Sequence, residues 1–216
     1  MKYNEYYKSF KKTIFSNVFS VINLLGSCTQ YDDITQKTLE PLNLSSFIKK
    51  QLKLSSEIIT LLKNEKGINL EILENTQNIK SFEQVEEILA RANIKKAKEI
   101  SKLMSQMDLN NKSFTKNNIE LKKISGVEIE NIITDEIDKQ LSQSYFLKVG
   151  SCSETYRISQ DRCGRDFAIS TVVSGVVGAL TAGWGFAAGM VAASISFTTC
   201  LMDADADYNR CRESEN

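Results

Sequence analysis

The four C-terminal cysteines repeat one spacing, and this pattern restricts the fold of the last part of the chain. Cys152 and Cys163 are eleven positions apart, and Cys200 and Cys211 are separated by the same interval. Eleven residues make about three helical turns, so each pair is expected on one helix face. In two antiparallel helices, Cys152 meets Cys211 and Cys163 meets Cys200 at matched heights. The spacing therefore predicts a helical hairpin closed by these two disulfides.

Other residues follow nearly the same mirror symmetry and place the turn near Thr181 and Ala182. Two aromatic pairs are expected to meet across the hairpin: Tyr156 with Tyr208, and Phe167 with Phe197. Two ion pairs are expected near its open end: Glu154 with Arg210, and Arg157 with Asp205. The arrangement resembles twin-cysteine helical hairpins, although the familiar pattern has one residue fewer between its cysteines.

Small residues recur at every fourth position of the inner arms, next to the turn. One predicted ridge consists of Ser174, Gly178 and Ala182, the other of Gly185, Gly189 and Ala193, and Gly183 lies in the turn itself. Small side chains let two helix backbones approach closely, which offsets the poor helix propensity of glycine. These residues are therefore predicted to form the helix–helix contact and the turn.

The same cysteines have one alternative use, as the four ligands of a metal ion. Metal ligands usually come as close pairs with two to four residues between them, and these cysteines are spaced far wider. Asp203, Asp205 and Asp207 resemble the opening of a calcium loop, but Tyr208 stands where glycine is needed and Ser214 where glutamate is needed. No metal or cofactor is predicted.

The chain has a single proline, Pro41, so no proline interrupts helices in the 175 residues that follow it. We predict an all-α fold. Every lysine lies at or before Lys148, whereas five of the six arginines follow it. This change predicts a domain boundary near residues 149–151. The predicted organisation is a signal peptide (1–27), a tether (28–42), a helical domain (43–148) and the disulfide-linked hairpin (149–216).

Within 43–148, the apolar residues recur at helical spacing. A capping box formed by Ser81 and Gln84 predicts the start of a helix, whose apolar stripe runs to about Met107. The polar segment 108–118 is predicted to be a loop. Leu70 and its neighbours fit a short strand or a helical turn.

The chain contains no histidine, and its net charge is zero. Without histidine, the usual acid–base and nucleophile pairs are missing, and no catalytic constellation is found. The balanced charge gives no reason to expect a nucleic-acid partner. We therefore predict that the protein is not an enzyme. An enzyme that uses carboxylates alone is a weaker alternative.

The N-terminal segment predicts where the protein is located in the cell. A basic start is followed by an uncharged stretch that ends in Leu25, Gly26, Ser27 and Cys28. These four residues resemble the lipobox of bacterial lipoproteins, which implies lipidation at Cys28 and anchoring in the outer membrane, or secretion as the alternative. Lipidation would remove one of five cysteines and leave four that can pair. The alternative is an ordinary amphipathic N-terminal helix.

The tip of the hairpin carries no charge from Phe167 to Met202. This segment is long enough to enter a bilayer as two short arms, and its composition is similar to that of the hydrophobic hairpins of pore-forming bacterial toxins. The alternative is that the arms pack on each other and on the preceding domain.

Two functions fit these observations. The first is a lipid-anchored envelope or surface protein with a binding or structural role and an unidentified protein partner. The second is a membrane-active antibacterial protein that uses residues 151–216.

Overall fold

The computed structural model describes residues 41–74, 79, 81–142, 151–181 and 185–214. Every regular element in these ranges is helical, so the predicted all-α fold is confirmed. The elements are α1 (Pro41–Lys63), α2 (Leu70–Glu74), α3 (Phe82–Arg91), α4 (Ala97–Asn117), a 3-10 helix (Ile119–Lys123), α5 (Gly126–Ser142), α6 (Cys152–Leu180) and α7 (Gly185–Ser214). They belong to one compact unit that extends from Glu40 to Asn216. The signal, Cys28 and most of the tether lie outside the described residues.

Helix α1 runs antiparallel to α6. Ser55 Oγ lies 3.5 Å from Thr171 Oγ1, and Lys63 Nζ donates to Gln160 Oε1 at 3.3 Å. The partner number on α6 thus falls as the number on α1 rises. Ile59 lies between these pairs and faces Gly164, where an added Cβ would lie 3.5 Å from Ile59 Cδ1. The amphipathic face of α1 is therefore covered by the hairpin along much of its length.

The same helix also runs antiparallel to α4. The rings of Phe47 and Phe114 stack with their centroids 4.0 Å apart, and Gln51 Nε2 donates to the carbonyl of Met107 at 3.2 Å. Helices α1, α4 and α6 therefore pack against one another, and Gln51 lies near the place where the three helices meet.

The helix predicted to run from Ser81 to residue 107 is interrupted. Its start is as predicted, because Ser81 Oγ accepts a hydrogen bond from the Gln84 backbone N–H at 3.3 Å. It ends at Arg91, and Asn93 adopts a left-handed conformation with φ of 65°. The Ile94 N–H then donates to the Leu89 carbonyl at 3.0 Å. This hydrogen bond caps the C-terminal end of α3 and requires a left-handed residue at position 93. Asparagine tolerates that conformation better than most residues.

The prediction of a loop at residues 108–118 is wrong, because α4 continues to Asn117. One side of this segment is buried, but it carries mostly polar side chains: Asp108, Asn111, Phe114, Thr115 and Asn118. Their spacing of three or four residues is helical. Apolar periodicity does not reveal this part of the helix, because its buried face carries mostly polar side chains where aliphatic ones are usual.

Helix α5 begins at Gly126 and packs on α1 and α6. Gln140 Nε2 donates to the Ser45 carbonyl of α1 at 2.9 Å. Helix α6 begins at Cys152, directly after the predicted boundary, and is capped by Ser151, whose Oγ accepts from the Glu154 N–H at 3.3 Å. The hairpin packs against the preceding helices within the same compact unit.

Candidate functional site

Two disulfides join α6 and α7 at the predicted positions. Cys152 is bonded to Cys211, and Cys163 is bonded to Cys200, with the Cα atoms 5.7 Å apart in each pair. The half-cystines on α6 are buried. The two long helices are therefore tied together at two heights, three helical turns apart.

Both predicted aromatic pairs also meet across the hairpin. Tyr156 and Tyr208 lie between the two bridges with ring centroids 5.0 Å apart, and Phe167 and Phe197 meet inside the inner bridge at 5.4 Å. Aromatic pairs at such distances stabilise a fold by more than the burial of their surface alone. The antiparallel register follows from the bridges and is reinforced by these rings.

The ion pairs expected across the hairpin, Glu154 with Arg210 and Arg157 with Asp205, are not formed. Each arginine instead pairs within its own helix: Arg157 Nη1 with Asp161 Oδ2 at 3.3 Å, and Arg210 with Asp207. Residues one turn apart on a helix are already neighbours, so these pairs form without bringing distant side chains together.

The two predicted small-residue ridges make contact near the tip. A Cβ added at Gly189 would lie 2.8 Å from the Cβ of Ser174, and one added at Gly178 would lie 3.1 Å from the backbone nitrogen of Phe186. Glycine is therefore required at these two places by close approach of the helices. Ala193 is buried. Gly185 is the first residue of α7, whereas Ala182 and Gly183 lie outside the described residues.

Gly175 is a contact residue that the sequence analysis missed. It faces α4 rather than α7, and a Cβ at this position would lie 1.9 Å from Asn111 Nδ2. The Asn111 side chain thus fills the space that a larger residue at 175 would occupy. A signal existed, because Gly175 lies outside the predicted row of Ser174, Gly178 and Ala182.

A polar cluster lies where the hairpin meets α1 and α4. We call Gln51, Ser55, Asn111 and Thr171 the polar junction. All four side chains are buried. Gln51 Nε2 donates to Asn111 Oδ1 at 2.7 Å, while Gln51 Oε1 and Asn111 Nδ2 have no hydrogen-bond partner. Buried polar atoms without partners are costly, so this junction is less favourable than an apolar contact of equal area.

The uncharged part of the hairpin is largely covered. No residue from Phe186 to Leu201 is exposed, and between Phe167 and Leu180 only Ser170 is exposed. By length and composition alone, α6 and α7 are each long and apolar enough to cross a membrane. Core helices of soluble proteins pass the same test. The structure therefore presents an apolar hairpin that is covered by amphipathic helices.

An ion pair links the helices that pack on the hairpin, α1 to α5, which we call the cover, to the base of the hairpin. Arg165 of α6 donates from Nε to Asp138 Oδ1 at 2.6 Å and from Nη2 to Asp138 Oδ2 at 2.7 Å. This two-point contact joins α5 to α6 just outside the uncharged segment. Hydrogen bonding by Arg165 lowers the pKa of Asp138 below its ordinary value.

Acid is expected to weaken this link. Because the folded-state pKa of Asp138 is lowered, its contribution to the free energy of unfolding is complete above the ordinary aspartate pKa and is lost as pH falls through the lowered value. Both side chains are about two-fifths exposed, so the contribution is at most about 1 kcal/mol. Urea unfolding of wild type and Asp138→Asn should differ near neutral pH and converge in acid. An unchanged difference at all pH values would contradict this.

The described residues contain no cluster of three or more acidic, cysteine or histidine side chains that could hold a metal ion. The four C-terminal cysteines are joined in two disulfides and therefore do not form the four-cysteine metal site that was the alternative. Asp203, Asp205 and Asp207 lie on the continuous helix α7 and not in a loop that could wrap around a cation.

The described part of the chain therefore offers a covalently closed helical hairpin as its candidate functional element. No family model, curated protein or solved structure matches this chain.

Proposed function

We propose that the protein is an exported, lipid-anchored envelope or surface protein with a binding or structural role. The observation that carries this proposal is the pairing of all four cysteines other than Cys28 in two disulfides. Disulfides persist in oxidising compartments outside the cytosol. The cysteine left over is the one in the lipobox-like sequence, where lipidation would account for it.

Mass spectrometry of the N-terminus of the native protein tests this proposal. The expected product begins at Cys28 and carries a diacylglycerol and an N-acyl chain, and it fractionates with membranes. Cys28→Ser should lose the lipid mass and leave the membrane fraction, because the thiol that accepts the lipid is gone. A native protein that begins with an unmodified Met1, or an unlipidated Cys28, would overturn the lipoprotein assignment.

A second function, membrane activity of the hairpin, is favoured by a different observation. The described part of the uncharged segment from Phe167 to Met202 packs against helices α1 to α5, and the disulfides lie towards the charged, open end of the same hairpin. Such an arrangement shields part of the apolar surface of the two arms from water until they meet a lipid surface. Alanine and glycine contribute little transfer free energy, so the gain would come mainly from the valine, isoleucine and phenylalanine side chains of the arms.

Dye release from lipid vesicles tests the second function. The purified full chain, added to vesicles of phosphatidylcholine and phosphatidylglycerol, is expected to release an entrapped dye at low protein concentration. Absence of release over a wide concentration range would reject membrane activity and leave the binding or structural role.

A further inference from the structure

The two helices of the hairpin are joined covalently, whereas the described contacts between the hairpin and the preceding helices are non-covalent. Within the hairpin there are two disulfides, two aromatic pairs and the close contact of Gly189 with Ser174. Towards the cover, the named contacts include the polar junction and the Asp138–Arg165 pair. The hairpin is thus closed covalently, whereas the cover is attached by non-covalent contacts that include these polar ones and the ring contact of Phe82 with Phe186.

Polar contacts of this kind reduce the free energy needed to separate the surfaces. Gln51 Oε1 and Asn111 Nδ2 are buried without partners, and both would gain water if α1 and α4 moved away from α6. The partly exposed Asp138–Arg165 pair would also be solvated on separation. Separating α6 from α7, in contrast, would require breaking two disulfides.

We propose that α6 and α7 leave the cover together, as one disulfide-closed unit, and that a lipid bilayer receives their uncharged tip. This inference rests on the second proposed function. Separation breaks the polar junction, where α1 and α4 meet α6, together with the contacts of α5 with α6 and of α2 and α3 with α7. The disulfides remain intact, so no redox step is required.

The distribution of charge along the hairpin defines how it meets the bilayer. Charged residues lie on α6 up to Asp166 and on α7 from Asp203 onward, so they stay together at the water interface when the tip enters lipid. The uncharged helical arms, 167–180 and 185–202, are about 21 and 27 Å long at helical rise. They are short for a hydrocarbon core of about 30 Å, which fits shallow insertion with local thinning of the bilayer.

An engineered cross-link across the polar junction tests the release step. Ser55 Oγ and Thr171 Oγ1 are 3.5 Å apart, which makes Ser55→Cys/Thr171→Cys a suitable pair for a disulfide between α1 and α6. The full chain is used in a Cys28→Ser background, so that neither a lipid nor a fifth native thiol contributes. Peptide mass spectrometry verifies the new bond and both native ones, and circular dichroism verifies the helical fold.

The cross-linked protein is expected to lose dye release, whereas the single variants Ser55→Cys and Thr171→Cys, which carry each thiol without the cross-link, still release dye. Asp138→Asn weakens the attachment without a new bond and should accelerate release by up to about fivefold. If the parent releases dye and the cross-linked protein releases it equally fast, separation along this junction is rejected while membrane activity stands. If the parent releases none, the second function fails and this inference fails with it.

Discussion

Replacing all four bridging cysteines by serine is expected to lower the free energy of unfolding by about 4–6 kcal/mol. The bridges are nested, with sequence separations of 59 and 37 residues, and both restrict the unfolded chain. Once the inner bridge is formed, the outer one closes a ring made only of the two eleven-residue arms. Its additional effect is therefore smaller than its own sequence separation suggests, and the two contributions are less than additive.

The two single-bridge variants separate these contributions. Cys163→Ser/Cys200→Ser is expected to cost more than Cys152→Ser/Cys211→Ser, because the outer bridge lies near helix ends that can fray. Guanidinium unfolding without reductant, followed by circular dichroism, provides the free energies. Equal stability of the wild type and the inner-bridge variant would show that the hairpin register does not depend on that bridge.

The hairpin could be predicted from the sequence because several independent features require the same register. Helical spacing places each cysteine pair on one face, and only an antiparallel arrangement brings Cys152 and Cys163 opposite Cys211 and Cys200. The aromatic pairs fit the same mirror. These requirements concern two adjacent helices and one turn, so no knowledge of the other helices was needed.

The surrounding helices were harder to predict because their buried faces are polar in places. Segment 108–118 lacks an apolar stripe because Asn111 is buried against Gly175 and Gln51. The break at Asn93 could not be recognised either, since the apolar pattern continues through it from α3 to α4. The first error comes from contacts between residues far apart in the chain, and the second from a local left-handed turn at Asn93, and apolar periodicity reports neither.

Gly175→Ala is expected to destabilise the fold by about 1–3 kcal/mol, which is the usual effect of overpacking a well-packed site. The new Cβ would lie 1.9 Å from Asn111 Nδ2 and 2.6 Å from its Cγ, so the Asn111 side chain must move. That side chain is fully buried and accepts a hydrogen bond from Gln51, so moving it also disturbs the polar junction. Urea unfolding measures the change.

Gly164→Ala is a matched control on the same helix. Its Cβ would lie 3.5 Å from Ile59 Cδ1, an ordinary contact, so the better helix propensity of alanine should stabilise the protein by up to about 1 kcal/mol. A double-mutant cycle with Asn111→Ala separates steric overlap from a general effect of alanine at position 175. Because Asn111→Ala removes the atoms that overlap, Gly175→Ala should be nearly neutral or stabilising in that background, whereas equal costs in both backgrounds would show that Asn111 does not fill this space.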